Sequence, residues 1–325
     1  MITAENVKLA YRLFLGREPE SENVINSLCQ NTHSIEELRA AFLKSPEFIQ
    51  GISEYIGKPQ TVRQRHPFHL PRIPVETEVS DEVLASMFER IHQEWEHLGK
   101  TEPHWSVVTQ PKYYQADFAS HSDEFYLSGK HAVELFTTAL RRCGVDQSKL
   151  KTCLDLGCGV GRVAVHLVDT FERVIGVDIS AAHLAIAEEY SRDRQITGIE
   201  WQQWHSLNQI RNMPEVDAIH SLITFQHNPP PIMVWILRTV LSHLKPGGVA
   251  FFQIPTYKTG YMFEVERYMH SNPTNTMEMH FLPQHEIFKV INKSNCRMLE
   301  MREDAMVGSE DTMLSNTFLI QKNKD

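Results

Sequence analysis

In the stretch "LDLGCGVGR", residues 154–162, an acidic side chain precedes three glycines at alternate positions: Asp155, then Gly157, Gly159 and Gly161. Glycines at this spacing clear side chains from a backbone that must lie against something, and a ligand is the common reason. Asp178 closes the apolar run "RVIGVD", 178 − 161 = 17 residues beyond the last glycine. A carboxylate placed there can accept hydrogen bonds from both hydroxyls of a ribose. Two histidines supply candidate proton chemistry: His227 in "SLITFQHNPPP" and His280 in "MEMHFLP". Imidazole is neutral near pH 7 and can take a proton from an attacking hydroxyl or amine.

The ligand of the loop can be narrowed by elimination. A phosphate loop needs a Lys and a Ser or Thr after its last glycine, and neither follows here. A dinucleotide fingerprint needs a third small residue so that its helix packs on the strand; that position is Arg162. Asn228-Pro229-Pro230 is similar to the Asn-Pro-Pro-aromatic stretch of nucleobase amino-methyltransferases, but Pro231 stands where the base-stacking aromatic belongs. The formal net charge of −9 also argues against a nucleic-acid partner.

These residues need a scaffold. From residue 151 the sequence alternates short β-rich runs with helical stretches. The predicted strands are "TCLDL", "RVIGVD", "IEWQQW", "VDAIHSL" and "VAFFQIP", followed by the late strands "CRMLEMRE" and "MLSNTFLIQK". Predicted helices fill 162–170, 181–190, 231–244 and 284–293. Such alternation is the pattern of an α/β layer with helices on both faces of the sheet. Pro246 and Gly247 in "LKPGG" carry type II turn chemistry before strand five. Ahead of this core, residues 81–150 read as a helical extension, with Leu84, Phe88, Ile91 and Trp95 on one stripe. Residues 58–80 hold four prolines and little periodicity, and read as a linker. Residues 1–57 read as a small all-α unit, in which Ser34 and Glu37 form a capping box and Ser45-Pro46 opens a further helix.

With Asp155-x-Gly157-x-Gly159-x-Gly161 and Asp178 at the next strand end, residues 100–322 resemble the class I S-adenosylmethionine-dependent methyltransferases. The resemblance implies a Rossmann-like, seven-stranded mixed sheet whose last strand is antiparallel. It implies S-adenosylmethionine as cofactor, with the loop Gly157, Cys158, Gly159, Gly161 and Arg162 against its amino-acid moiety and Asp155 near its ammonium. Asp178 would hold the ribose and Ile179 the adenine. The family's Asp or Asn for the adenine amino group falls here at His205 or Ser206, a departure that leaves Trp204 or His205 to stack on the base. Ser221 closes strand four beside the cofactor. "EPHWSVVTQ" and "DEFYLSGK" resemble an N-terminal lid, from which Trp105 and Tyr126 would reach the sulfonium or the carboxylate. His227 would sit over the acceptor, with His280 as second base candidate and Tyr257, Lys258, Tyr261 and Arg267 as a polar acceptor wall. The sulfonium is already activated, so the reaction asks for no metal.

At "YRLFLGREPE…SPEF" the N-terminal unit resembles a small helical domain that recurs in bacterial proteins linked to the envelope and its polysaccharides. The acceptor expected on that basis is a sugar hydroxyl in a bacterial surface glycan or its precursor. Two alternatives stay open: a specialised-metabolite O- or N-methyltransferase, and a cofactor-binding adaptor without turnover. Residues 1–57 would then serve docking or oligomerisation. Five scattered cysteines without a C-x-x-C pair signal neither zinc nor disulfides. The N-terminus has no signal-peptide pattern, and no apolar run reaches the roughly 18 residues of a membrane span. A cytoplasmic protein without membrane insertion is the expectation.

Overall fold

The computed structural model describes residues 2–48, 71–271, 277–307 and 313–324, which fall into two compact units, Met1–Arg65 and His66–Asp325. Residues 58–70 of the predicted linker and most of the helix expected from Pro46 lie outside the described residues.

In the first unit, helices α1 (Ala4–Ala10), α2 (Glu22–Asn31) and α3 (Ile35–Leu43) close over Val7, Tyr11, Ile25, Leu38 and Phe42. Thr3 and Asn6 satisfy each other's amides at the start of α1. At α3 the expected box is half formed. Ser34 Oγ accepts from the Glu37 amide at 3.1 Å, while Glu37 returns its carboxylate to the His33 amide instead, at 2.8 Å.

The second unit is built on a seven-stranded sheet: β1 (Thr152–Leu156), β2 (Arg173–Asp178), β3 (Ile199–Gln203), β4 (Val216–Ser221), β5 (Leu244–Lys258), β6 (Cys296–Asp304) and β7 (Met313–Lys322). The strand order is β3-β2-β1-β4-β5-β7-β6. Strands β1 to β5 pair in parallel, and β7 runs antiparallel between β5 and β6. This is the expected mixed sheet with its last strand reversed. Central strands of a sheet covered on both faces must be apolar throughout. β1 and β2 obey, with Cys153, Leu154, Val174, Ile175 and Val177 almost wholly buried.

The chain order reverses between β1 and β4, which opens a crevice at their carboxyl ends. The helices α4 (Asp81–Thr101) and α5 (Ala181–Asp193) wall one side of it. α4 presents Leu84, Met87, Phe88 and Ile91 inward, spaced for one helical face. Its Glu96 carboxylate accepts from Ser180 Oγ at 3.0 Å and from the Ala182 amide at 3.2 Å, so one helix caps the other's N-terminus. The two approach so closely at Gly99 that a Cβ there would lie 2.6 Å from Ser180 Oγ and 2.7 Å from His183 Nδ1. The described end of the predicted linker is docked rather than free: Ile73 is buried and Val75 bridges to Phe263. Among the described residues no helix is long and apolar enough to cross a membrane.

Candidate functional site

A single cleft gathers the ends of β1, β2 and β4, helix α4 and the stretch around Ser106 and Val107. Its floor is the glycine loop. Gly157, Gly159 and Gly161 all sit in the left-handed region, at φ +72°, +55° and +81°. At Gly157 the need is also steric, since a Cβ would meet the Thr224 side chain at 2.2 Å. The loop is tied down from β2: the Gly157 and Cys158 amides both donate to the Val177 carbonyl, at 2.8 and 3.0 Å.

Asp178 stands at the rim with its two oxygens already engaged. Oδ2 accepts from the Gly159 amide at 2.8 Å and Oδ1 from the Ser180 amide at 2.9 Å. Each carboxylate oxygen has a second lone pair, enough for the two hydroxyls of a ribose. Beyond it, Ile179, Trp204, Ile210, Phe88 and Ile91 form an apolar slot, suited to a flat heterocycle.

On the other side of the loop lie Asp155, Arg162 and His220, all lining the cleft. Burial lowers the Arg162 guanidinium's pKa against the opposing pull of Asp155. Burial also pushes the Cys158 thiol well above its ordinary value, with Asp178 and Asp155 adding to the effect, so it stays a thiol.

His227 occupies a 3-10 turn, Phe225–His227, over the mouth. Its Nδ1 lies 2.9 Å from the Glu278 carbonyl, and the Trp95 ring sits edge-on at 5.0 Å. A carbonyl oxygen only accepts, so Nδ1 carries the proton and Nε2 bears the lone pair, which accepts from Gln226 Nε2 at 3.3 Å. Burial lowers this imidazole's pKa to about 4, outweighing the Glu278 carbonyl's support for the charged form. His227 is therefore neutral across the physiological range.

Residues 153–248 match the methyltransferase domain family. The chain carries a methyltransferase domain. Its cofactor is S-adenosylmethionine, and the cleft fits that group. Four buried polar atoms of its wall, Asp155 Oδ2, Arg162 Nε, His183 Nδ1 and His220 Nε2, have no partner in the protein. Among curated relatives, a ubiquinone biosynthesis O-methyltransferase of Aliivibrio fischeri is 25% identical over 181 residues, 54% of this chain and 74% of the relative. One from Pseudomonas fluorescens is 30% identical over 117 residues, 35% of this chain and 49% of the relative. A cypemycin N-terminal methyltransferase of Streptomyces is 31% identical over 107 residues, 31% of this chain and 40% of the relative. Among solved structures, an S-adenosylmethionine-dependent methyltransferase from Clostridium acetobutylicum aligns with TM-score 0.46 and 16% identity, covering 64% of this chain and 98% of that one.

The methyltransferase cleft brings together Asp155, Gly157, Cys158, Gly159, Arg162, Asp178, Ile179 and His227 of the expected set. Gly161 serves from behind, where a Cβ would strike Trp201 at 2.6 Å.

Several expectations are corrected. His205 is exposed and Ser206 caps the short helix Leu207–Arg211 with Gln209; neither lines the cleft, and Trp204 does. The reason is strand alternation: the Trp204 amide still donates to the Asp178 carbonyl at 2.9 Å, so the pleat continues one residue past β3 and turns Trp204 inward. Ser221 is wholly buried with Oγ on the Leu156 carbonyl at 2.9 Å, a tie between β4 and β1. Tyr126 stacks on Tyr190 and donates to the Val160 carbonyl at 3.3 Å, so it braces the glycine loop from outside the cleft. Trp105 stacks on Tyr114 at 5.0 Å, and its neighbours Ser106 and Val107 are the lid residues that reach the cleft. His280 does not line the cleft either. Its Nδ1 meets Tyr261 Oη at 3.0 Å and its Nε2 meets Glu278 Oε2 at 3.2 Å, so both nitrogens are committed. Tyr257, Lys258, Tyr261 and Arg267 are likewise absent from the lining. Asn228 does line it, but as a loop former that donates to the Thr224 carbonyl at 2.9 Å, while Pro230 opens the helix Pro230–Ser242. Sequence reasoning missed His183 and His220, both buried histidines on the cleft wall.

Proposed function

We propose that the chain transfers a methyl group from S-adenosylmethionine to a hydroxyl of a small-molecule acceptor, with His227 receiving the hydroxyl proton. One observation carries the reading: a neutral imidazole in the same cleft as the glycine loop, with its Nδ1–H fixed on a backbone carbonyl and its Nε2 lone pair met only by the long 3.3 Å contact from Gln226 Nε2, which an acceptor hydroxyl would replace. When bound, the cofactor supplies a methyl carbon on a sulfonium, which leaves as a neutral thioether. Asp178 takes the ribose hydroxyls, Ile179 and Trp204 flank the adenine, and Asp155 and Arg162 take the charged amino-acid end. His227 Nε2 takes the proton as the acceptor oxygen forms its bond to carbon, so positive charge ends on the imidazolium and is lost to solvent. Val107, Phe225 and the edge of Trp95 exclude water from the transfer path. Holding acceptor and methyl carbon in line supplies the rest of the acceleration.

A hydroxyl rather than an amine is favoured because a neutral hydroxyl benefits from a base, and the cleft provides one. The resemblance of the N-terminal unit points to a sugar hydroxyl, and the curated relatives named for ubiquinone biosynthesis point to another small-molecule hydroxyl. The test is transfer of radiolabelled methyl from S-adenosylmethionine into a paired panel of sugars and phenols, by the full chain and by His227→Ala. Transfer that falls at least a hundredfold in the variant, with cofactor binding retained, supports the reading. Cofactor binding without transfer to any member of the panel would leave the adaptor in its place.

A further inference from the structure

Residues 277–283 form no regular secondary structure, yet two backbone atoms of this segment dock the turn that carries His227. The His280 amide donates to the Gln226 carbonyl at 2.7 Å, and the Glu278 carbonyl accepts from His227 Nδ1 at 2.9 Å. The second contact decides the chemistry, because the ring nitrogen that keeps the proton is set by its hydrogen-bond partner. The group that holds this carbonyl in place lies on α4.

Arg90 reaches from α4 to the segment, with its side chain only 11% exposed. Its Nη2 donates to Glu278 Oε1 at 2.6 Å. Its Nη1 donates to the carbonyls of Tyr268 and Ser271, at 2.8 and 3.1 Å, and the guanidinium lies 4.2 Å from the centroid of the Tyr268 ring. A planar fork held by two carbonyls and an aromatic face leaves its remaining donor one direction, and Glu278 lies along it. Burial resists the charge on Glu278, but His280 and Arg90 together keep its pKa below the ordinary carboxylate value. The same helix sets the Trp95 ring edge-on to His227. Thus α4 reaches this imidazole twice, once by ring contact and once through Glu278.

Stability alone does not account for the ion pair. Taking two charges out of water costs about what their attraction returns, and apolar side chains of similar size often serve as well. What the pair adds is direction. We propose that Arg90 is a positioning residue for methyl transfer: by fixing Glu278 it holds the carbonyl that sets the tautomer and orientation of the His227 ring. The inference rests on the reading of His227 as the base.

The experiment reads His227 directly. In protein labelled with 15N at histidine, with the His227 resonances assigned by their loss in His227→Ala, the spectrum reports which ring nitrogen carries the proton. Wild type is expected to be protonated at Nδ1. Arg90→Met keeps much of the apolar stem and removes the fork, and is expected to move the proton towards Nε2. Turnover of the panel member that wild type methylates best should fall roughly tenfold, part of the ~100-fold or more that a positioned base supplies. Binding of S-adenosylhomocysteine, which shows that the variant is folded, should stay within about twofold, a small fraction of the tenfold that 1.4 kcal/mol represents. Glu278→Ala leaves the carbonyl in the chain and cuts the same link. It should reproduce both changes, and it serves if Arg90→Met does not fold; the double variant should lose no more than either single one. An unchanged tautomer in these variants, or a wild-type ring protonated at Nε2, overturns the proposal. A shifted tautomer with unchanged turnover overturns the base reading instead, a separate outcome.

Discussion

The Gly159 amide donates to Asp178 Oδ2 at 2.8 Å, so the carboxylate proposed to take the ribose also holds the tip of the glycine loop. On that proposal ligand recognition and loop shape share one side chain. Asp178→Ala therefore removes the ribose partner and leaves two backbone amides, of Gly159 and Ser180, without their acceptor. Calorimetric titration with S-adenosylhomocysteine should show a loss of about 3 kcal/mol, roughly a hundredfold. Thermal unfolding should fall as well. Asp178→Asn keeps one acceptor oxygen and should lie between wild type and alanine in both measurements. Unchanged binding in the alanine variant would remove Asp178 from the site.

Gly157→Ala meets two obstacles, its φ of +72° and the Thr224 side chain 2.2 Å from the added carbon. The left-handed backbone alone costs a residue with a Cβ about 1–2 kcal/mol. A melting temperature lower by several degrees is the expected outcome. The double variant Gly157→Ala with Thr224→Gly should recover the part due to crowding and none of the part due to backbone strain. Full recovery would show that the conformation itself imposes nothing.

The pH dependence of methyl transfer follows from the environment of His227. Its pKa is lowered to about 4 by burial, so the Nε2 lone pair is available above that value and lost below it. With a hydroxyl acceptor, kcat/KM should stay level from pH 8 down to about 5 and fall only as pH approaches 4. An acid limb centred near 6.5 would mean that the proton goes elsewhere.

Glu94 makes the opposite kind of prediction. Its carboxyl has a pKa raised to about 7, by burial first and by the nearby Glu278 carboxylate second, with Arg90 opposing. A raised folded-state value means that the neutral form suits the fold. Its contribution is fully present below pH 4.5 and is lost as pH rises towards 7. Glu94→Gln should therefore stabilise the protein at pH 8, by about 1 kcal/mol after allowance for its partial exposure to solvent, and change little at pH 4.5. Chemical denaturation at the two pH values measures the difference; equal effects at both would contradict the assignment.

The scaffold was legible in the sequence because its signals are local. The glycine spacing and the apolar runs are each set by a few adjacent residues. The predicted helix at 284–293 coincides with the observed Gln284–Lys293 for the same reason. The walls of the site were less legible, because they depend on which way a side chain turns. Trp204 and His205 are neighbours, and only the continued pleat beyond β3 decides between them. The resemblance of "DEFYLSGK" to a lid points the Tyr126 hydroxyl at the cofactor's carboxylate, but a backbone carbonyl within the fold satisfies it. His220 sits one residue before the expected Ser221, inside a strand whose burial pattern looks ordinary. Nothing local distinguishes a histidine that faces a cavity from one that merely fills a core. Its partner Asp155 is 220 − 155 = 65 residues away, and only the β1–β4 pairing joins them.

Gly99 is not among the residues that line the cleft, yet it governs the distance between the helix that carries Phe88, Ile91 and Trp95 and the helix that follows Asp178. Any side chain at this position acts as a wedge between the two walls. The aperture of the cleft between them is thus gauged by an atom that is missing one layer back. Substitutions at Gly99 belong with those of the ligand-facing residues when cofactor affinity changes without any visible change in the lining.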